Sequence, residues 1–174
     1  MEQFRYKDEN DRSYGAAGMA IGLVVFDGED MISSVSLDRD SDDTFQMTGD
    51  FYFTGNPVVS AKAAWNHLLK NYNLSVVMLV ANVLCRSLVL NSTRLSAESR
   101  RMLHDAIVEE GHNVCSLDDD EIDALFNKNY SYLDRVFSHR GVQSVAHDFA
   151  SALRERRSLS RVDVVDILKV LNML

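Results

Sequence analysis

The stretch "MAIGLVVFDG" (19–28) decides the fold of this chain. Ile21, Val24, Val25 and Phe26 give it the β-branched and aromatic content of a strand. Asp27-Gly28 follows, a preferred type I′ turn pair because both central positions of that turn need φ > 0. The glycines in "GAAGMAIG" (15–22) fit close backbone packing or a bend in that strand. The return, "EDMISSVSL" (29–37), puts Met31, Val35 and Leu37 on one face. After an acidic connection, "TFQMTGDFYF" (44–53) alternates: Phe45, Met47, Phe51 and Phe53 face one way, and Gln46, Thr48, Asp50 and Tyr52 the other. A slip of one residue would invert these faces, so the register is well specified. The expectation is a three-stranded antiparallel meander over 16–55 whose apolar side must lie on something else.

The supporting layer begins at Asn56-Pro57, a good N-cap followed by a residue suited to the first helical turn. Beyond it only the helical period is found, with helices expected at 57–71, 74–91, 97–110, 118–128, 131–139, 142–157 and 161–173. Asp118 with Glu121 forms a capping-box signal, and Ser131 with Asp134 and Ser160 with Asp163 repeat it more weakly. Gly111 and Gly141 suit left-handed residues after helix ends. The fold class is therefore α+β. An N-terminal meander packs on a C-terminal bundle of six or seven helices (56–174), the two forming one compact unit. Residues 1–15 are polar and unpatterned, and are expected to be disordered.

Composition places the chain among ordinary globular proteins, 46% hydrophobic and 25% charged. Two cysteines do not make a disulfide framework, and Glu2, Arg5, Lys7, Asp8 and Glu9 leave no room for a secretory apolar core. Both point to the cytoplasm. The most apolar run, "LSVVMLVANVLCRSLVL" (74–90), is broken by Asn82 and Arg86 and reads as a buried central helix instead of a membrane span. The net charge of −8 sits wholly in residues 1–55, which carry twelve acids against four bases, while 56–174 carry fourteen of each.

Reaction chemistry is weakly represented. Asp38, Asp40 and Asp42 have the spacing that opens a calcium loop. Position 6 is Asp43 where glycine is needed, position 12 is Gly49 where a glutamate is needed, and the loop runs into a strand. A solvated turn is the better reading. His112 and Cys115 make half of a zinc site, with His104 as the nearest third ligand, and half a site does not hold structural zinc. No metal and no cofactor are therefore expected. No nucleophile elbow or phosphate-binding glycine loop occurs.

Two features point to interfaces. Arg154, Arg156, Arg157 and Arg161 cluster around a helix junction, suited to an anion or an acidic partner, although cations near a helix C-terminus are stabilising in any case. The last helix is apolar around most of its circumference, with Val164, Ile167, Leu171 and Leu174 marking a second face for self-association. The expected function is non-enzymatic binding of other proteins, the chain itself included, without a membrane. One alternative is a nucleic-acid-binding regulator using the 154–161 arginines, disfavoured because Asp163 and Asp166 lead the following helix. The other is a small-molecule enzyme whose site is assembled from residues distant in sequence.

Overall fold

The computed structural model describes residues 4–52 and 60–174. The α+β class holds, with a three-stranded antiparallel sheet and a helical bundle, but the decisive stretch is a helix. Residues Glu9–Val25 form α1, capped by the Asp8 side chain, which accepts from the Asp11 amide. The reason lies in small residues at helical spacing. A methyl group on Gly18 would stand 2.4 Å from the Ala81 carbonyl oxygen, and one on Gly22 would stand 2.8 Å from Ala81 Cβ. Ala16, Ala17 and Ala20 are buried beside them. This stripe lets α1 lie almost backbone to backbone against the central helix, and burial then overrides the modest strand preference of Ile21, Val24 and Val25.

Asp27-Gly28 ends this helix and does not turn a hairpin. Asp27 takes the left-handed conformation (φ 55°). The Gly28 amide donates to the Leu23 carbonyl at 2.7 Å and the Asp27 amide to Val24 at 3.2 Å. These two bonds make a Schellman cap. The expectation of disorder over 1–15 also fails for residues 9–15, which lie in α1, and residues 4–8 are fastened to the bundle as described below.

The sheet consists of β1 (Ile32–Ser36), β2 (Phe45–Met47) and β3 (Ser158–Ser160), in the order β2-β1-β3. The third strand thus comes from the C-terminal half, a three-residue segment between helices that periodicity cannot detect. A bulge between Ile32 and Ser34 brings Ile32 opposite Met47 and Val35 opposite Phe45, so that all four side chains point into the core. Val35 also faces Leu159 of β3. Strand character stops at Met47, because Gly49–Tyr52 form a single helical turn, α2. Phe53 and the Asn56-Pro57 helix start lie outside the described residues.

The remaining helices are fewer and longer than expected. α3 (Ala61–Leu84) begins at the Ser60 cap and continues into a π-helical turn, Cys85–Leu90. Among the described residues it is the one helix long and apolar enough to cross a membrane, and 67% of its most apolar stretch is buried by the rest of the chain. α4 (Ala97–Cys115), α5 (Asp119–Ser138), α6 (Arg140–Arg156) and α7 (Arg161–Leu168, extended by a 3-10 turn to Met173) follow. Both reciprocal capping boxes, Asp118 with Glu121 and Ser160 with Asp163, are formed. Ser131 and Asp134 lie inside α5 and cap nothing. The left-handed residues that end α4 and α6 are Ser116 and Arg157. Gly111 instead packs under the Tyr72 hydroxyl and Gly141 under Leu174. α1 and α3 form the central pair, flanked by α5 and α6, with α4 outside α3 and α5 and with α7 against β1 and β3.

Candidate functional site

Most of the polar features that stand out in the sequence are consumed inside the chain. The acidic loop 38–43 folds around a cation, and that cation is Arg12 of α1. Its guanidinium donates to the carbonyls of Leu37 (3.2 Å), Arg39 (2.5 Å) and Asp40 (2.8 Å), and to Thr44 Oγ1 (2.5 Å). The backbone carbonyls of this loop are turned on a guanidinium.

The arginine cluster is likewise engaged within the same chain, Arg157 and Arg161 by acids of its first third. Arg157 donates to Glu9 at 2.5 Å and to Asp38 at 3.0 Å. The Arg157 hydrogen bond holds the Glu9 carboxyl below the ordinary carboxylate range. Arg161 reaches Asp30 at 2.5 Å, Arg156 reaches Asp163 at 3.0 Å, and Arg154 donates to Asn10 of α1. Hydrogen bonds from Ser160, with Arg156 nearby, depress the Asp163 pKa in turn. The charge asymmetry thus fastens the two ends of the chain to one another. These exposed pairs are individually weak, but they leave the guanidiniums committed.

His112 and Cys115 do not converge. His112 is exposed and pairs with Asp119 at 2.7 Å, whereas Cys115 is fully buried with its Sγ 3.9 Å from the Leu68 carbonyl. His104, on the same helix, hydrogen-bonds Asp123 at 2.5 Å. No group of three metal-ligating side chains converges among the described residues. Burial, with Glu110 adding to it, raises the Cys115 pKa, and burial raises that of Cys85 more strongly, so neither thiol is poised as a nucleophile at neutral pH.

A buried network that spacing could not reveal joins the N-terminal segment to the π-turn. Arg86 grips Asp11 with two bonds of 2.6 Å and donates to the Phe4 and Arg5 carbonyls at 2.9 Å each. Burial alone would raise the Asp11 pKa, but the Arg86 bonds and the Lys7 amide outweigh it and hold it below the ordinary value. The Arg86 guanidinium lies 4.9 Å from the centre of the Tyr6 ring, and Asn82 Nδ2 donates to the Tyr6 hydroxyl at 2.7 Å. This clasp forms one wall of a cleft of about 600 Å³ lined by Phe4, Arg5, Tyr6, Met19, Phe45 and Leu79, among others. The only hint in the sequence was Arg86 interrupting an apolar run.

The terminal helix divides its faces. Val164 and Leu168 are buried in the core, so Val164 is removed from any contact surface, and Ile167 and Leu171 are half-buried. The outward apolar residues are Val162 (70% exposed), Val165 (40%), Val170 (39%), Met173 (78%) and Leu174 (58%). Asp166 and Lys169 sit between them, 3.6 Å apart. Of the residues singled out for self-association, Leu174 alone is fully on this surface. No protein-family profile, curated protein or solved structure matches this chain.

Proposed function

We propose that this chain is a non-enzymatic cytoplasmic binding protein that works by protein–protein contact, with a second copy of itself as the partner. The observation that carries this reading is the outward face of α7 and its 3-10 extension. Five apolar side chains, Val162, Val165, Val170, Met173 and Leu174, are exposed there while the row behind them fills the core. Exposed apolar residues clustered on one short element are ordinarily covered.

A second copy suits the patch because its charge pattern is self-complementary. Asp166 and Lys169 lie one turn apart at its centre, with apolar residues on both sides. An antiparallel two-fold arrangement sets Lys169 of each copy against Asp166 of the other and closes the apolar ends over one another. Arg156, Arg157 and Arg161 are paired with acids of the same chain and Arg154 with Asn10, so a nucleic-acid reading draws no support from them.

Charge exchange tests the arrangement. Asp166→Lys and Lys169→Asp should each weaken self-association measured by sedimentation velocity, because each sets like charges opposite one another in the homodimer. An equimolar mixture of the two variants should associate again. Weak association in the mixture as well as in each variant would exclude the two-fold register.

A further inference from the structure

The cleft between the N-terminal segment, α1, β2 and α3 plays no part in that contact surface. Its volume of about 600 Å³ lies within the range of small-molecule sites. Phe4, Met19, Phe45 and Leu79 give it apolar walls. Two polar groups on its N-terminal side are uncommitted. The Arg5 backbone is fixed by its carbonyl, which accepts from Arg86, yet among the described residues the Arg5 guanidinium has no hydrogen-bond or acidic partner. Arg12 and Arg86, the cations that act on Tyr6, are both engaged elsewhere.

The second group is Tyr6. Its hydroxyl oxygen accepts from Asn82, its ring is held under Arg86, and its own proton meets no acceptor among the described residues. Burial raises the Tyr6 pKa against the lowering by Asn82 and Arg86, so the phenol remains a proton donor at neutral pH. Arg5 and Tyr6 both line the cleft beside its apolar walls, Arg5 exposed to solvent and Tyr6 half-buried.

We propose that this cleft binds a small amphipathic carboxylate, its apolar body against Phe4, Met19, Phe45 and Leu79 and its carboxylate accepting from Arg5 and the Tyr6 hydroxyl. Asp42 lines the wall contributed by the acidic loop and repels an anionic head there, which fixes the orientation toward the N-terminal segment. A bare inorganic anion would leave the apolar walls wet, and a neutral apolar molecule would leave both donors unpaired.

The probe is 4-phenylbutyrate, with 4-phenylbutan-1-ol as the uncharged control, titrated into isotopically labelled full-length protein and followed by amide chemical shifts. Saturable shifts are expected at residues 4–6, 42–45 and 79–82. Arg5→Ala should weaken binding about tenfold, as should replacing the acid by the alcohol, consistent with loss of a charge-assisted hydrogen bond. Leu79→Trp, which fills the cleft, should abolish the shifts while leaving the dimer contact intact. Among the described residues the exposed Arg5 side chain makes no hydrogen bond or ion pair, so its truncation is expected to leave the fold intact. Absence of shifts at these residues overturns the proposal. So does an acid that binds Arg5→Ala within about threefold of wild type, since a charge-assisted contact is worth more than that.

Discussion

Gly18→Ala is the perturbation that most sharply distinguishes a helix at 9–25 from the strand its composition suggests. The added methyl would stand 2.4 Å from the Ala81 carbonyl oxygen and 2.7 Å from Cys85 Cβ. Ordinary carbon–oxygen contact needs about 3.3 Å or more, so α1 and α3 must part by roughly 1 Å. Neither neighbour is the flexible end of a long side chain, and the strain cannot be relieved locally. A gap of that size forfeits a quarter to a half of each contact across the seam. For on the order of forty atom pairs at about 0.15 kcal/mol each, the loss is about 1.5–3 kcal/mol. Alanine returns about 1 kcal/mol of helix propensity. The net expectation is a destabilisation of about 1 kcal/mol, read in urea as a midpoint lower by about 0.5 M for a slope near 2 kcal/mol per M. Gly49→Ala is the control, because a methyl there meets nothing within 4 Å and should change stability by less than about 0.5 kcal/mol. A Gly18→Ala protein as stable as wild type, with unchanged far-ultraviolet dichroism, would refute the close approach of α1 to α3.

Asp11→Ala should cost about 3–5 kcal/mol, since it strands the buried Arg86 guanidinium, and a loss below about 1 kcal/mol in chemical denaturation would contradict the clasp. The Asp11 pKa is depressed by folding, so its stabilising contribution is complete above the unfolded value near 4 and is lost as pH falls through the lower folded value. Asp11→Asn should therefore flatten the acid limb of the stability–pH curve below about pH 4. Leu84→Ala, in the fully buried middle of the fold, should cost about 2–5 kcal/mol by urea denaturation. Arg12→Ala should accelerate hydrogen exchange across 36–44 and leave the α5 amides unchanged, because the loop loses the cation that its carbonyls surround.

The parts of the fold that were legible in the sequence are those fixed by local chemistry. Asp118 with Glu121 and Ser160 with Asp163 form the capping boxes their spacing implies. Phe45 and Met47 turn inward on β2 as their alternation requires. The misread parts were settled by partners remote in sequence. Ile21, Val24 and Val25 favour a strand by themselves, and it is the fit of Gly18 and Gly22 to Ala81 that makes this segment a helix. The signal was present in the spacing 15, 18, 22, which repeats at three and four residues as a helical stripe does. Asp27-Gly28 offers a left-handed position equally to a hairpin and to a helix end, so the turn alone could not decide. β3 has three residues and exists because β1 presents an open edge to it. The arginine cluster was visible as a charge feature, but the acids that occupy it lie more than a hundred residues away in the case of Glu9, Asp30 and Asp38. The cleft is assembled from four segments, and no spacing rule connects Arg5 to Phe45 or Leu79.

The most direct test of the account is the molar mass in solution by light scattering, at tens of micromolar, in low and in high salt. The wild-type chain of 19.6 kDa should scatter as a dimer of about twice that mass in both conditions, because the apolar part of the contact is not screened. Met173→Asp, at a position 78% exposed within one copy, should scatter as the monomer with its fold intact. A wild-type protein that is monomeric at both salt concentrations would contradict self-association through the outward face of α7.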